Sequence, residues 1–285
     1  MLIRLARRVL PLALLVVLGG FTCRVATPAD DRPIQTHGII TLYHHQMEIR
    51  FSVPARTHHP PMLVIYATGD GGWRGVDDRI FGWIAASGWI VAGFSSKSYL
   101  KNLRDHSETG TTTPQRLETD YHRIIAFARD RLSLSEQVPV LLVGNSRGAG
   151  LSVVAAGQSD LKPQLAGVIA VALTKEEEHI IDSDTLLENP QGHRQKRESI
   201  EIKTYDYLPR LASLPVCVLQ STKDRYLPAD SARRLFGPDG EYRKLRPVEA
   251  RNHGFGGGLE RLHDELLSAL NWIANVGGRP LPAGQ

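Results

Sequence analysis

The sequence predicts an α/β protein in which a mainly parallel sheet is flanked by helices on both faces. Short, continuous apolar segments typical of buried strands alternate with segments whose apolar residues recur at helical spacing. Such alternation favours parallel strands joined by crossover helices. The chain has 285 residues, 42% hydrophobic and 22% charged, which is typical of a globular protein and long enough for one large domain.

The predicted elements follow one another in a regular order. Residues 38–43 and 47–53 predict a β-hairpin. Further strands are predicted at 62–67, 89–94, 138–143, 165–173, 214–220 and 242–248, and helices at 80–87, 114–131, 148–156 and 259–273. The polar stretch at 174–213 is long for a connection between strands, and we interpret it as a lid-like insertion over the functional site. The domain as a whole is predicted at 37–276, with a tail at 277–285.

Residues 1–29 have the pattern of an export signal that runs into a polar linker. Arg4, Arg7 and Arg8 form a positive segment, and residues 9–18 form an apolar stretch that is short for a transmembrane helix. A cleaved signal peptide and a retained N-terminal anchor both fit this pattern. In either case we expect the protein in the periplasm or the cell envelope.

Charge and cysteine content narrow the function classes. The net charge is +4, but no basic helix with interleaved aromatic residues occurs, so we expect no nucleic-acid partner. Peripheral contact with an anionic membrane stays open. One of the two cysteines, Cys217, lies in an apolar run, and no zinc-ligand motif is present. We therefore expect no metal or other cofactor, and the oligomeric state is left open.

The strongest local motif is Gly144-Asn145-Ser146-Arg147-Gly148, between a predicted strand and a predicted helix. Glycines two residues before and two after the serine permit a turn so sharp that side chains there would clash. The turn exposes the Ser146 hydroxyl at a helix N-terminus, where the helix dipole favours negative charge. Ser146 is therefore the candidate nucleophile.

An aspartate and a histidine that are candidates for a catalytic triad follow Ser146 along the chain. Asp224 comes just after the strand predicted at 214–220, and His253 lies in a loop between the last strand and the last helix. Alone, Asp224 could be an ordinary turn residue and His253 an ordinary loop histidine. The order serine, aspartate, histidine, each after its own strand, is that of the α/β-hydrolase fold. We predict a catalytic triad in which His253 is the base and Asp224 fixes its tautomer.

A glycine-rich loop follows the strand predicted at 62–67. This is where the fold places the second donor of an oxyanion hole. We predict that the backbone amide of Arg147 is one donor and that of Asp70 the other, with Gly71 as the alternative. The substrate-binding residues predicted from this loop are Gly69, Asp70, Gly72 and Trp73. No Lys-Ser/Thr pair follows the glycines, so a phosphate-binding loop is not favoured.

With these motifs the chain resembles the VirJ/AcvB family of bacterial virulence-associated proteins. The resemblance rests on the segment 68–73, the motif around Ser146, and Lys97-Ser98-Tyr99 followed by Thr113-Pro114, and it covers most of residues 60–275. It implies a periplasmic α/β-hydrolase. For AcvB-like members it also implies hydrolysis of lysyl-phosphatidylglycerol, which removes lysine from the lipid headgroup.

A lysyl ester carries two ammonium groups and needs acidic partners. The candidates near the glycine-rich loop and at the start of the insertion are Asp70, Asp77, Asp78, Glu176, Glu177 and Glu178. Our hypothesis is that Asp70 contributes to recognising the cationic headgroup. The alternative is that these residues are solvated surface charges, which we prefer for the glutamate run.

Two further functions stay open beside the lipid hydrolase. One is a carboxylesterase or dienelactone-like hydrolase that acts on another small ester. The other is a periplasmic assembly or binding factor that keeps the fold without turnover, since a fold does not determine a function.

Overall fold

The computed structural model describes residues 32–43, 45–55, 62–104, 112–181 and 201–277. Its strands are β1 (Ile34–Leu42), β2 (His45–Val53), β3 (Leu63–Ala67), β4 (Ile90–Phe94), β5 (Val140–Asn145), β6 (Leu165–Val171), β7 (Glu176–Ile181), β8 (Glu201–Lys203), β9 (Val216–Ser221) and β10 (Arg243–Val248). Its α-helices are α1 (Val76–Ala86), α2 (Ser96–Arg104), α3 (Pro114–Leu132), α4 (Arg147–Ala156), α5 (Ala229–Phe236) and α6 (Leu259–Gly277). Every strand and helix predicted from the sequence is present, with bounds shifted by a few residues.

Eight strands form one sheet in the order β1-β2-β4-β3-β5-β6-β9-β10. The pairs β1–β2 and β2–β4 are antiparallel, whereas all pairs from β4 to β10 are parallel. The predicted mainly parallel sheet is therefore confirmed. Because parallel strands point the same way, the loops after β3, β5, β6, β9 and β10 lie at the same edge of the sheet.

Helices cover both faces of the sheet. On one face α1 and α6 pack against it through side chains such as Ile80 and Leu266. On the other face α2, α3, α4 and α5 contribute Leu117, Val153 and Phe236, among others, to a second apolar layer. The central strands β3, β5, β6 and β9 are buried along their whole length, which is why their sequences run apolar without alternation.

Sequence patterning missed α2, α5 and the strands β7 and β8. The helices α2 and α5 are short and largely polar, and each buries only a narrow apolar edge, which in α2 is formed by Tyr99, Leu100 and Leu103. β7 begins with three glutamates, a residue type depleted in strands, yet it pairs antiparallel with β8.

The predicted lid region, 174–213, has parts with different surroundings. β7 and β8 form a separate two-stranded sheet. The 3-10 helix Thr204–Leu211 buries Tyr207, Leu208 and Leu211 in the same core as α4, so this end of the range is part of the core and not of a lid. Residues 182–200 lie outside the described residues, and a lid there stays a prediction.

The predicted export segment at 1–29 and most of the tail at 277–285 also lie outside the described residues. Within the ranges that the structure covers, no helix combines the length and the apolar character needed to span a membrane.

We predict that Gly148→Ala lowers the free energy of unfolding by about 2–3 kcal/mol or more, because overpacking a buried contact forces the backbone apart. A Cβ at this position would lie 2.1 Å from the carbonyl oxygen of Ala67 in β3. Gly82→Ala in α1 is the control, since nothing lies within 4 Å of its Cβ position. That change should be neutral or stabilise the helix by up to about 1 kcal/mol. Urea unfolding followed by circular dichroism measures both, and similar stabilities for the two variants would contradict the prediction.

Candidate active site

The turn between β5 and α4 has a geometry that only its glycines permit. Ser146 has a φ of 51° and a ψ of −114°, outside the regions that L-residues favour. A Cβ on Gly144 would lie 2.1 Å from the carbonyl oxygen of Gly148, so this position also excludes a side chain. The turn places Ser146 at the N-terminus of α4, where the sequence motif predicts it.

Ser146, His253 and Asp224 form a continuous chain of hydrogen bonds. The distance from His253 Nε2 to Ser146 Oγ is 2.8 Å, and that from His253 Nδ1 to Asp224 Oδ2 is 2.7 Å. A carboxylate only accepts, so Nδ1 carries the proton and Nε2 accepts from the serine hydroxyl. In this arrangement the imidazole can remove the hydroxyl proton. The fold thus brings together the three residues that the sequence selects.

Asp224 is held in place although it is only 1% exposed. Its Oδ1 accepts from the amide of Tyr226 at 2.8 Å, and its Oδ2 accepts from Gln220 Nε2 at 3.0 Å in addition to His253. Gln220 also donates to the carbonyl oxygen of Leu227 at 2.7 Å. Sequence reasoning missed Gln220 as a supporting residue, and the only signal was a polar side chain within the apolar strand β9.

The loop that carries His253 is also fixed. The amide of Arg251 donates to the carbonyl oxygen of Gly256, and the amide of Gly256 donates to Asn252 Oδ1, both at 2.9 Å. The ring of Tyr226 stands nearly perpendicular to the imidazole, with ring centroids 4.8 Å apart. These contacts define the position of the imidazole beside Ser146.

The glycine-rich loop after β3 lies beside the serine turn because β3 and β5 are neighbours in the sheet. Its first amide, that of Gly69, donates to Oδ1 of Asp77 at 2.9 Å. The amides of Asp70, Gly71 and Arg147 form no hydrogen bond among the residues that the structure describes. Among the described residues, the amides predicted as oxyanion-hole donors therefore have no acceptor within the protein, whereas the amide of Gly69 already donates to Asp77.

Asp77 in α1 connects this loop to the sheet. Its Oδ1 accepts from the hydroxyl of Tyr66 at 2.7 Å, from the amide of Gly69 and from Asn145 Nδ2 at 3.0 Å. Burial raises the pKa of this carboxyl, although the three hydrogen bonds act in the opposite direction. Asp77, a predicted candidate for binding a ligand ammonium, is thus engaged in organising the loop.

The structure places two of the four predicted substrate-binding residues away from the cleft. Gly69 and Asp70 line it. Gly72 is buried with a φ of 67°, and the indole of Trp73 packs within the apolar layer, 5.2 Å from the ring of Phe81. The apolar layer is the more favourable environment for an indole. The prediction for Gly72 and Trp73 is corrected accordingly.

The side chain of Arg147 contacts three carboxylates. Its Nε and Nη2 donate to the two oxygens of Asp70 at 2.6 and 3.2 Å, its Nη2 also donates to Glu178 at 2.9 Å, and its Nη1 donates to Glu177. Glu177 is fully buried, and this burial raises its pKa to about 7 despite the nearby guanidinium. Asp70, the residue predicted to recognise a cationic ligand, is therefore already paired within the protein.

The cleft around Ser146 has a volume of about 850 Å³, and most of the residues that line it have polar or charged side chains. Among the lining residues that the structure describes, Val76 has the only purely hydrocarbon side chain, and Tyr226 and His253 have the only aromatic rings. The charged residues of the lining are Asp70, Asp77, Glu176, Glu178, Arg74, Arg147, Lys175 and Arg225. The cleft therefore offers charged side chains of both signs as partners for a polar ligand.

The sheet order, the glycine-flanked turn and the serine–histidine–aspartate chain together define a protein of the α/β-hydrolase fold. Similar solved structures include Est1E from Butyrivibrio proteoclasticus, with a TM-score of 0.58 and 14% identity over 84% of this chain and 99% of that one. A putative dienelactone hydrolase from Klebsiella pneumoniae also has a TM-score of 0.58 and 14% identity, over 87% and 99% of the two chains. The esterase domain of a Rhodothermus marinus protein has a TM-score of 0.56 and 16% identity, over 86% and 100%. At these identities the likeness concerns the fold.

The family is shown by the sequence itself. The family model of the bacterial virulence protein VirJ matches residues 61–222, which is more than half of the chain. The protein belongs to the VirJ family. A comparison with curated proteins gives no significant match.

We predict that Asp77→Ala lowers the free energy of unfolding by about 3 kcal/mol or more, because three buried donors would lose their acceptor. Asp78→Ala at the next position is the control. It removes an exposed carboxylate 3.4 Å from Arg50, a contact of the kind that contributes less than about 1 kcal/mol. Chemical denaturation measures both variants, and equal losses would show that Asp77 does not organise the loop.

Proposed function

We propose that this protein is a serine ester hydrolase that forms an acyl-enzyme on Ser146. As the serine oxygen attacks the ester carbonyl, His253 takes the hydroxyl proton and Asp224 stabilises the imidazolium. The imidazolium then protonates the departing alcohol, and a water molecule deprotonated by His253 releases the acid and regenerates Ser146. The observation that carries this proposal is the unbroken hydrogen-bonded chain from Asp224 through His253 to Ser146.

The negative oxygen of the tetrahedral intermediate needs donors that are in place before the reaction. In the proposed mechanism these are the amide of Arg147 and the amide of Asp70 or Gly71. Support comes from two features: these amides form no hydrogen bond in the described part of the chain, and they flank Ser146 at the same edge of the sheet. Loss of one such donor typically lowers the rate about 100-fold or more.

We propose an aminoacyl ester as the substrate class, with lysyl-phosphatidylglycerol as the candidate that the family resemblance supplies. The acidic side chains among the lining residues of the cleft support an acyl group that carries an ammonium group. For the ammonium group we favour Glu176. It lines the cleft and lies 3.5 Å from Lys175 with both side chains well exposed, whereas Asp70 and Glu178 contact Arg147.

A second candidate substrate is an ester that carries a carboxylate, as for a dienelactone-like hydrolase. Arg74 and Arg225 both line the cleft, and neither forms an ion pair among the described residues. Arg225 instead donates to the hydroxyl of Tyr226 at 2.6 Å. Two arginines without carboxylate partners would attract and orient an anionic substrate.

A periplasmic location and peripheral contact with an anionic membrane are parts of the same proposal. They follow from the export pattern at residues 1–29 and from the net charge of +4. A lipid substrate requires such contact, whereas a small soluble ester does not. An assembly or binding factor without turnover is the alternative, and the absence of a reactive serine would favour it.

We predict that a fluorophosphonate probe labels Ser146 in the folded protein, because the probe reacts with serines activated by a base. Ser146→Ala should abolish labelling, and His253→Ala should slow it by about 1,000-fold or more. Ser159→Ala, which changes an exposed serine outside the cleft, is the matched control and should label like the wild type. Mass spectrometry of the labelled peptide identifies the site. Folded wild-type protein without label at Ser146 would rule out the proposed mechanism.

The substrate is tested separately with three esters: lysyl-phosphatidylglycerol in vesicles, p-nitrophenyl acetate and a lactone that bears a carboxylate. We expect wild-type protein, but not Ser146→Ala, to release lysine from the vesicles. Glu176→Gln should raise KM for the lysyl ester while leaving KM for p-nitrophenyl acetate unchanged. Turnover of the carboxylate-bearing lactone alone would select the second candidate.

A further inference from the structure

The side chain of Arg147 has no part in the proton transfers described above, yet it is only 12% exposed. Its guanidinium donates to both carboxylate oxygens of Asp70, and we call this pair the Arg147–Asp70 clamp. The clamp joins the residue that directly follows the candidate nucleophile to a residue of the glycine-rich loop. Both residues also offer candidate oxyanion donors through their backbone amides.

The glycine-rich loop needs such a contact because its centre lacks other anchors. The amide of Gly69 is fixed by Asp77, and the amide of Gly72 donates to the carbonyl oxygen of Gly69 at 3.0 Å. Between them, the amides of Asp70 and Gly71 form no hydrogen bond within the described ranges. At Asp70 and Gly71, the clamp is therefore the only hydrogen-bonded contact that the described residues provide.

The guanidinium is itself held from the opposite side. Nη1 contacts the fully buried Glu177, and Nη2 contacts Glu178 at 2.9 Å. Both glutamates belong to β7, which pairs with β8 outside the main sheet. Because the five donors of a guanidinium point in fixed directions in one plane, the contact with the buried Glu177 fixes the orientation in which Arg147 receives Asp70, whereas Glu178 is exposed and makes a weaker contact.

We propose that Arg147 and Asp70 are positioning residues whose clamp fixes the oxyanion donors of the glycine-rich loop relative to Ser146. This inference rests on the proposed serine-hydrolase mechanism. Donors that are already oriented stabilise the transition state without rearrangement, so the clamp acts on kcat. Ground-state binding of the ester does not depend on these donors, so KM changes little when the clamp is lost.

The test uses Asp70→Ala, because Arg147→Met would leave Glu177 buried without its partner and could unfold the protein. Asp70 is exposed, so its side chain can be removed without opening the core. Glu178→Ala is the matched control. It removes an equally exposed carboxylate from the same guanidinium, but one that lies on β7 and not on the loop.

We expect Asp70→Ala to lower kcat by about 10- to 100-fold for a neutral ester and a lysyl ester alike, with KM within about threefold of the wild type. The affinity for a boronic acid, which forms a tetrahedral adduct with the serine, should fall by the same factor as kcat. Glu178→Ala should change kcat by less than about threefold. Circular dichroism and thermal unfolding verify that both variants are folded.

Four results would overturn the inference. Unchanged kcat in folded Asp70→Ala, or an equal loss in Glu178→Ala, would show that the clamp does not position the donors. A loss confined to KM for the lysyl ester would show that Asp70 contacts the substrate instead. Wild-type protein without turnover or labelling would overturn the proposed function and this inference together, which distinguishes that failure from the other three.

Discussion

The close approach of helix α4 to the end of β3 is the constraint on which the site depends. With no side chain at Gly148, the backbone of α4 can lie directly against the carbonyl oxygen of Ala67. The loop that follows β3 then lies beside Ser146, so the amides that we propose as oxyanion donors belong to two neighbouring segments. If α4 lay farther from β3, the amide of Arg147 and the amides of the loop after β3 would no longer be neighbours. The hydroxyl of Ser146 would then face solvent without the donors of that loop.

Polar contacts convert this proximity into a defined geometry. Asp77 accepts hydrogen bonds from three neutral donors, which lie in β3, in the loop after it and in β5. Arg147 donates hydrogen bonds to carboxylates of the same loop and of β7. Asp224 is held in a similar way by Gln220 and by the backbone beyond β9. In each case a buried or half-buried charged side chain holds a loop that would otherwise have few contacts. The site is thus surrounded by charged groups that stabilise its shape, and only some of the acidic residues around the cleft are available to a ligand.

The sequence predicts the sheet and the triad because both depend on local patterns. Apolar runs mark the buried strands, and Ser146, Asp224 and His253 each follow one of them. The features that the sequence does not predict depend on which distant segments become neighbours in the fold. The indole of Trp73 packs in the apolar layer because α1 supplies Phe81 there. The three glutamates of β7 are unfavourable in a strand, but Arg147 lies where it can neutralise the buried Glu177.

The order of the strands has a consequence for how the chain folds. Ser146 belongs to the centre of the sheet, whereas Asp224 and His253 follow β9 and β10, which are added at its far edge. The hydrogen bond between Ser146 and His253 joins residues 107 positions apart in the sequence. Contacts of such long range are slow to form because the intervening loop must be closed first. As long as β9 and β10 are not in place, no imidazole can lie beside Ser146, so the assembled triad is a marker of the completely folded protein.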